Sequence, residues 1–501
     1  MRTHLKRLGS ETAIYGISTI VGRFLNFLLV PFYTNILAPG DYGIVTYVYS
    51  LVAFVNVIYS FGMEAAYFKY SSTLEIGNAK ENFSTPFTSI LITTAVLSAA
   101  MLGTSRFIAD AMFLPEDYFA IVGYAAGMLA FDALALIPFA SLRMERKARL
   151  FATIKVVNIV INVALNVILL IVLHMGVVGI FISGFVASAV TIVMLLPTML
   201  RQFTFQINGQ LLRALLQYAL PFVPAGLATM AVQVIDRPIL RALTDDTTVG
   251  IYQANYRLGI FMMLVVQMFD YAWRPFYFAT AKEPNAKAIF ARVMTYLILL
   301  MSVIFLALTF FLTDIVRISF FGRHLIHPNY WSGLNIVPVV LAGYLFLGIG
   351  TALSAGIYIE KKTKYSPIIT FLGAFVNITA LYLLIPMAGM LGAAWATLLA
   401  YAGMALALYV VVQRVYPINY EFGRIGKIAA SLAVVLAFYY LLPIEAMGVA
   451  GVFVSFGLCM FFLFLMYVMK FFEAKELAAL TSFFSLRSPT SDERSETINS
   501  L

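Results

Sequence analysis

Runs of about twenty or more apolar residues, parted by short polar loops, recur along nearly all of the 501 residues. A helix rising 1.5 Å per residue needs about 20 such residues to cross a hydrocarbon core of about 30 Å. The pattern predicts spans near 11–37, 43–63, 84–105, 118–140, 152–173 and 177–198. A second set follows near 214–242, 249–272, 290–312, 332–357, 366–386 and 389–411, and then 427–443 and 447–469 close the series. Barrel strands would instead alternate apolar and polar positions in segments of about ten. The expectation is an all-α polytopic membrane protein of about 14 transmembrane helices.

Charge placement orients the map, because cytoplasmic loops retain Lys and Arg. Of the 33 basic residues, 26 fall in the two termini and in the loops after even-numbered spans, the richest holding Arg143, Arg146, Lys147, Arg149 and Lys155. Both ends are therefore expected in the cytoplasm. The net charge of +9 is absorbed by this topology, so no nucleic-acid partner is needed. Composition agrees: 62% of residues are hydrophobic and 11% charged, against roughly 25% charged in a soluble chain. Arg2, Lys6 and Arg7 precede an apolar stretch too long for a signal peptide, so it reads as the first span. Cys459 has no partner for an internal disulfide.

The chain also repeats itself. A shift of 207 residues lays Pro31 on Pro238, Gly43 on Gly250, Tyr49 on Tyr256 and Tyr70 on Tyr277. Farther along, Val157-Asn158-Ile159 faces Val376-Asn377-Ile378, and Gly176-Val177-Val178-Gly179 faces Gly389-Met390-Leu391-Gly392. Six spans separate the copies, so they share orientation, which makes the repeat parallel. The implied layout is a cytoplasmic segment 1–10 and two six-helix bundles, 11–200 and 214–412, around a central cavity. Two extra helices at 427–470 and a disordered cytoplasmic tail at 482–501 complete it.

Arg23-Phe24-Leu25-Asn26-Phe27 with Pro31, the Leu37-Ala38-Pro39-Gly40-Asp41-Tyr42-Gly43 loop, and Gly62-Met63-Glu64 leading to Tyr67-Phe68-Lys69-Tyr70 form one group of motifs. Ile235-Asp236-Arg237, Val249-Gly250-Ile251-Tyr252 and Trp273-Arg274-Pro275-Phe276 form a second. Together they resemble the oligosaccharide-lipid flippases of the polysaccharide-export (Wzx-type) family. That family belongs to the multidrug/oligosaccharidyl-lipid/polysaccharide exporter superfamily. The resemblance implies movement of an undecaprenyl-pyrophosphate-linked glycan from inner to outer leaflet by alternating access, driven by an H+ or Na+ gradient, in the bacterial cytoplasmic (inner) membrane. It implies a monomeric transport unit, in some settings beside a glycan polymerase, and a role in O-antigen, capsule or related glycans. The alternatives are a lipid II flippase, a drug or cation antiporter, and a membrane glycan polymerase or ligase. Residues 61–70 lack the basic pattern of lipid II flippases, and drug exporters usually have twelve spans. A polymerase would need a long outer loop.

Charges within spans are the candidate site, since a charge at mid-bilayer costs several kcal/mol unless it meets protein or water. Arg23 lies about 18 Å into the first span, and Arg257 lies inside the eighth. Guanidinium forks match phosphate oxygens, so both are candidates for the pyrophosphate; the competing reading pairs each with a buried carboxylate. Arg237 and Arg241 share a face four residues apart and join them as candidates, with an ion-pair gate involving Asp236, Asp245 and Asp246 as the alternative. Asp132 and Asp270 are candidates for coupling to an ion, or partners for arginine. Glu64 and Lys69 are placed at an inner gate. Pro31 and Pro238, matched by the repeat, are candidate hinges. Asn158, Asn162 and Asn166 form a polar stripe suited to interhelix hydrogen bonds or to sugar hydroxyls. Tyr49 and Tyr256 are candidates for stacking on sugars. Arg106, Arg317 and Arg323 sit near outer loops, where they can snorkel. His324 and His327 lack further metal ligands, and there is no nucleotide-binding motif; neither a cofactor nor catalysis is expected.

Overall fold

The computed structural model describes residues 27–320, 322–473 and 476. Arg23, the opening of the first predicted span, the segment 1–10 and the tail from 482 lie outside the described residues. Among the described residues, twelve helices are long and apolar enough to cross a membrane. One of them, Tyr365–Val415, is two helices joined at Gly389, whose φ of 55° breaks the spiral. The all-α polytopic fold read from the sequence is the fold observed. Besides helices there is a two-residue pairing of Ser319–Phe320 with Arg323–His324.

Two compact units are present. One runs to Pro284 and resumes from Leu312 to Pro417; the other joins Asn285–Phe311 to the chain from Ile418 onward. In the second unit, Ala286–Phe310 packs with Phe422–Leu441 and Val449–Val468. There Arg292 and Arg424 pair with Glu421, Glu473 and Glu476 at 2.9–3.9 Å.

Several spans are broken, and the breaks have local causes. The predicted span 214–242 is three short helices, Gly209–Ala219, Phe222–Gln233 and Asp236–Leu243. Pro221 and Pro238 have no N–H to offer the carbonyl four residues earlier, so the spiral stops ahead of each. The carbonyls freed at the second break find other donors: the Asn377 side-chain amide bonds Ala231 O at 3.0 Å. The predicted span 43–63 ends at Ser60, and a separate helix, Met63–Thr73, follows a left-handed turn at Phe61–Gly62. The eighth span runs Asp246–Tyr256, tightens through Arg257–Gly259 and continues as Ile260–Thr280.

The repeat is visible in the backbone. Gly43 packs so closely on Asp246 that an added Cβ would lie 1.8 Å from its carbonyl oxygen, and Gly250 packs the same way on Pro39 at 1.9 Å. Pro39 and Asp246 are themselves 207 residues apart, so the Pro39–Ser60 and Asp246–Tyr256 helices cross in a two-fold-like contact. Gly176 and Gly389, matched in sequence, share a positive φ of 53° and 55°; Gly448, in a third Gly-x-x-Gly turn before the last helix, has 54°.

Overpacking a tight contact costs about 1–3 kcal/mol. Gly43→Ala is expected to lower the unfolding temperature of the detergent-purified protein by several degrees. Gly350→Ala, where nothing lies within 4 Å of the added carbon, is the control and should leave it unchanged.

Candidate functional site

Within the first unit, the two halves related by the repeat enclose a cavity of about 1310 Å³. One end lies against the glycine crossing and is walled by Tyr33, Tyr42, Tyr256 and Tyr344; the other reaches the basic end at Glu64 and Arg143. Polar side chains from both halves face it, among them Asp132, Lys155, Asn158, Asn162, Gln253, Gln267 and Arg257.

The four predicted arginines have different surroundings. Arg237 lines the cavity but is spent on the second helix break. It pairs with Asp236 at 2.6 Å, donates to Gln233 O at 2.5 Å and to Gln253 Oε1 at 3.2 Å, and lies over the Tyr256 ring at 4.5 Å. Asp236 also accepts from Tyr252 Oη at 2.6 Å. Burying a charge this deeply is tolerable only because its hydrogen bonds are satisfied. Arg257 sits at the tightened turn between two helix segments, half-buried, and among the described residues it has no hydrogen-bond or ion-pair partner. Its guanidinium is therefore open to a ligand in the cavity. Arg23 lies outside the described residues.

Arg241 does not line the cavity. It reaches across the sealed end, bonding Asp246 at 2.5 and 3.1 Å, Met112 O at 2.5 Å and Phe113 O at 3.3 Å, with its guanidinium 4.1 Å from the Tyr47 ring. Tyr47, Met112 and Phe113 belong to the first half, so Arg241 ties the halves together. Tyr330 Oη donates to Leu37 O at 3.0 Å, and Asn35 Nδ2 to His324 O at 2.8 Å, at the same end.

Among the carboxylates, Asp132 faces the cavity and accepts from Ser188 Oγ at 2.7 Å. Asp270 lies elsewhere, paired with Arg274 at 2.8 Å beside a smaller cavity of about 240 Å³. Glu64 pairs with Arg143 at the basic end. Lys69 lies over the Tyr218 ring at 4.5 Å, joining a first-half helix to the helix that opens the second half, away from the cavity. Pro31 lies in the helical stretch 27–34, and Pro238 is the third residue of Asp236–Leu243. The asparagine stripe divides its work. Asn158 donates to Thr191 Oγ1 at 2.9 Å, Asn166 accepts from Tyr33 Oη at 2.9 Å, and Asn158 and Asn162 also face the cavity. Tyr49 and Tyr256 both line the cavity, Tyr49 stacked on Phe181.

In the loop beyond, burial alone would raise the Glu145 carboxyl, but hydrogen bonds from Lys147 and Arg201 outweigh it and hold the group below the usual carboxylate range. The stability this pairing contributes is present above the ordinary carboxylate value and is lost as pH falls through the depressed one.

Lys155 was counted with the loop charges, yet it faces the cavity. Its spacing from Asn158 and Asn162, three and seven residues, is the signal in the sequence that could have put it on the polar stripe. Gln253 and Gln267 gave no such signal.

Two facing helical halves around a polar cavity are an arrangement shared with solved membrane transporters. The fold is that of the multidrug/oligosaccharidyl-lipid/polysaccharide exporter superfamily. A lipid II flippase, MurJ, in an inward closed conformation superposes with a TM-score of 0.69 at 16% identity, over 91% of this chain and 98% of that one. An inward-facing multidrug resistance transporter of the MATE family matches at 0.59 and 14% identity, over 78% and 94%. The Vibrio cholerae MATE transporter VcmN matches at 0.58 and 16% identity, over 82% and 96%. Residues 34–272 match the model of a family described as polysaccharide biosynthesis protein. Family model and fold together support the Wzx-type likeness read from the motifs. No curated protein matches the sequence.

Removing the Arg241 cross-link is expected to loosen the sealed end. With Cys459→Ser and Ser50→Cys as background, an impermeant maleimide applied from that side should label the cavity cysteine several-fold faster after Arg241→Ala. Unchanged labelling would mean the glycine crossing seals by itself.

Proposed function

We propose that the chain flips an undecaprenyl-pyrophosphate-linked oligosaccharide across the bacterial cytoplasmic membrane by alternating access. The observation that carries this reading is Arg257: a guanidinium inside a membrane-embedded cavity with no hydrogen-bond or ion-pair partner among the described residues. A diphosphate supplies the oxygens such a fork binds. Arg23, on the first predicted span, is its proposed companion.

The rest of the cavity suits the remainder of the cargo. Amides, hydroxyls and tyrosine rings from both halves match a saccharide, which offers both donors and acceptors. The excess of basic residues at the open loops supports reading that end as cytoplasmic. On that assignment the glycine crossing closes the outer side and the cavity faces inward. Both chain ends then lie in the cytoplasm, and a proton or sodium gradient drives the return, with Asp132 as the cavity carboxylate available to sense it. Helix breaks at Pro221 and Pro238 provide places where a half can bend.

The motifs at 61–70 favour this reading over lipid II transport. The free arginine favours an anionic cargo over the cationic drugs of an antiporter.

A charge-assisted hydrogen bond is worth about 1.5–3 kcal/mol, or about one to two orders of magnitude in rate or affinity. In proteoliposomes loaded with fluorescent undecaprenyl-pyrophosphate oligosaccharide, Arg257→Ala should slow flipping at least tenfold, Arg257→Lys less, and Arg23→Ala comparably to Arg257→Ala. Full activity in Arg257→Ala would remove the arginine from the site. Wild-type protein that flips only lipid II, or that flips no lipid and exports organic cations, would overturn the reading in favour of the corresponding alternative.

A further inference from the structure

A flippase for a glycan-bearing lipid must also seat the glycan, and the first half of the cavity has a wall with hydrogen-bonding capacity to spare. Lys155, Asn158 and Asn162 occupy one face of Ala148–Val167, three and seven residues apart, and all line the cavity. Asn158 commits its amide nitrogen to Thr191 at 2.9 Å, leaving its carbonyl oxygen open. Asn162 accepts from Asn166 at 3.1 Å, leaving its own amide nitrogen open. Asp132, on the adjoining helix, spends one carboxylate oxygen on Ser188 at 2.7 Å and presents the other. Lys155 lies 4.3 Å from the Phe139 ring and, among the described residues, has no carboxylate within ion-pair distance.

Acceptors and donors interleaved in this way suit sugar hydroxyls, which need both. The amides and Asp132 would suffice for a neutral sugar. The lysine adds a compact cation with three donors about 10 Å along its helix from Ala148, and Asp132, the carboxylate that acts on it through space, lies beyond ion-pair distance. We propose that this wall is a saccharide subsite separate from the pyrophosphate site at Arg257, and that the sugar seated there bears a carboxylate held by Lys155. Asn158, Asn162 and Asp132 then read hydroxyls around that group, and Phe139 supports the ammonium from its other side. The proposal rests on the flippase reading, because it presumes a glycan cargo, but the pyrophosphate takes no part in it.

Soluble sugars therefore test it apart from flipping. The full-length purified protein would be titrated calorimetrically with digalacturonate and with its neutral counterpart, 1,4-galactobiose. The acidic disaccharide should bind the wild type at least tenfold more tightly. Lys155→Gln should abolish that preference, Lys155→Arg should keep it, and Arg257→Ala should leave it intact. Equal binding of the two sugars, or no binding of either by the wild type, would overturn the proposal. So would a preference that survives Lys155→Gln, or one that vanishes with Arg257→Ala. Any of these failures leaves the flipping experiment on Arg257 to stand or fall separately.

Discussion

Everything in the cavity-forming unit depends on the crossing of two helices at Gly43 and Gly250. Each glycine lies against the backbone of the opposite helix, at Asp246 and Pro39, so close that one carbon atom more on either would meet a carbonyl oxygen. A contact of that kind is strong for its size, because dispersion falls steeply with distance and bare backbones approach nearer than side chains allow. It closes one end of the cavity without a bulky plug. The polar bridges around it, from Arg241 to Met112 and Phe113 and from Tyr330 to Leu37, add a ring of hydrogen bonds outside the dry seal. The halves meet closely at this end, and the space between them becomes the cavity.

Charge inside the membrane is then sorted by what each helix break demands. The break between Gln233 and Asp236 exposes carbonyls and would be costly in an apolar setting. Arg237 and Asn377 satisfy them, and Asp236 neutralises the arginine. That arginine is structural in its present contacts although it touches the cavity. Arg257 sits at a milder tightening where the backbone needs no such help, and among the described residues its guanidinium makes no hydrogen bond or ion pair. Two residues of one type, twenty positions apart, thus differ because one backbone is broken and the other only tightened.

The sequence made the span map legible because lipid tolerates so few charges that loops declare themselves. It made the repeat legible at glycines, since the same close crossing and the same positive-φ turn require glycine in both copies. The breaks were half legible: Pro221 and Pro238 are obvious, but whether a proline kinks a span or divides it depends on which neighbours adopt the freed carbonyls. Arg237, Arg241 and Arg257 look alike for a similar reason: the partners that set the first two apart include residues 112–113, 236 and 246, and only the packed halves bring the first of these near. Lys155 is hidden by the charge rule itself: a lysine near a helix end beside a basic loop is counted as loop, and only its register with Asn158 and Asn162 says otherwise.

One helix links the proposed binding site to the seal. Arg257 follows Gly250 by seven residues, two helical turns or roughly 10 Å. A ligand that draws the guanidinium toward the middle of the cavity acts on the segment whose first turns make the crossing. No long chain of side chains is needed to carry that effect; a rigid helix with a tightened turn at Arg257–Gly259 suffices. Binding energy can shift the balance between two states only by the difference in contact it makes in each. A free arginine placed on the sealing helix is where such a difference would arise, whereas an arginine already committed, as Arg237 is, would have to break its own bonds first. The position of the unspent charge is thus as informative as its sign.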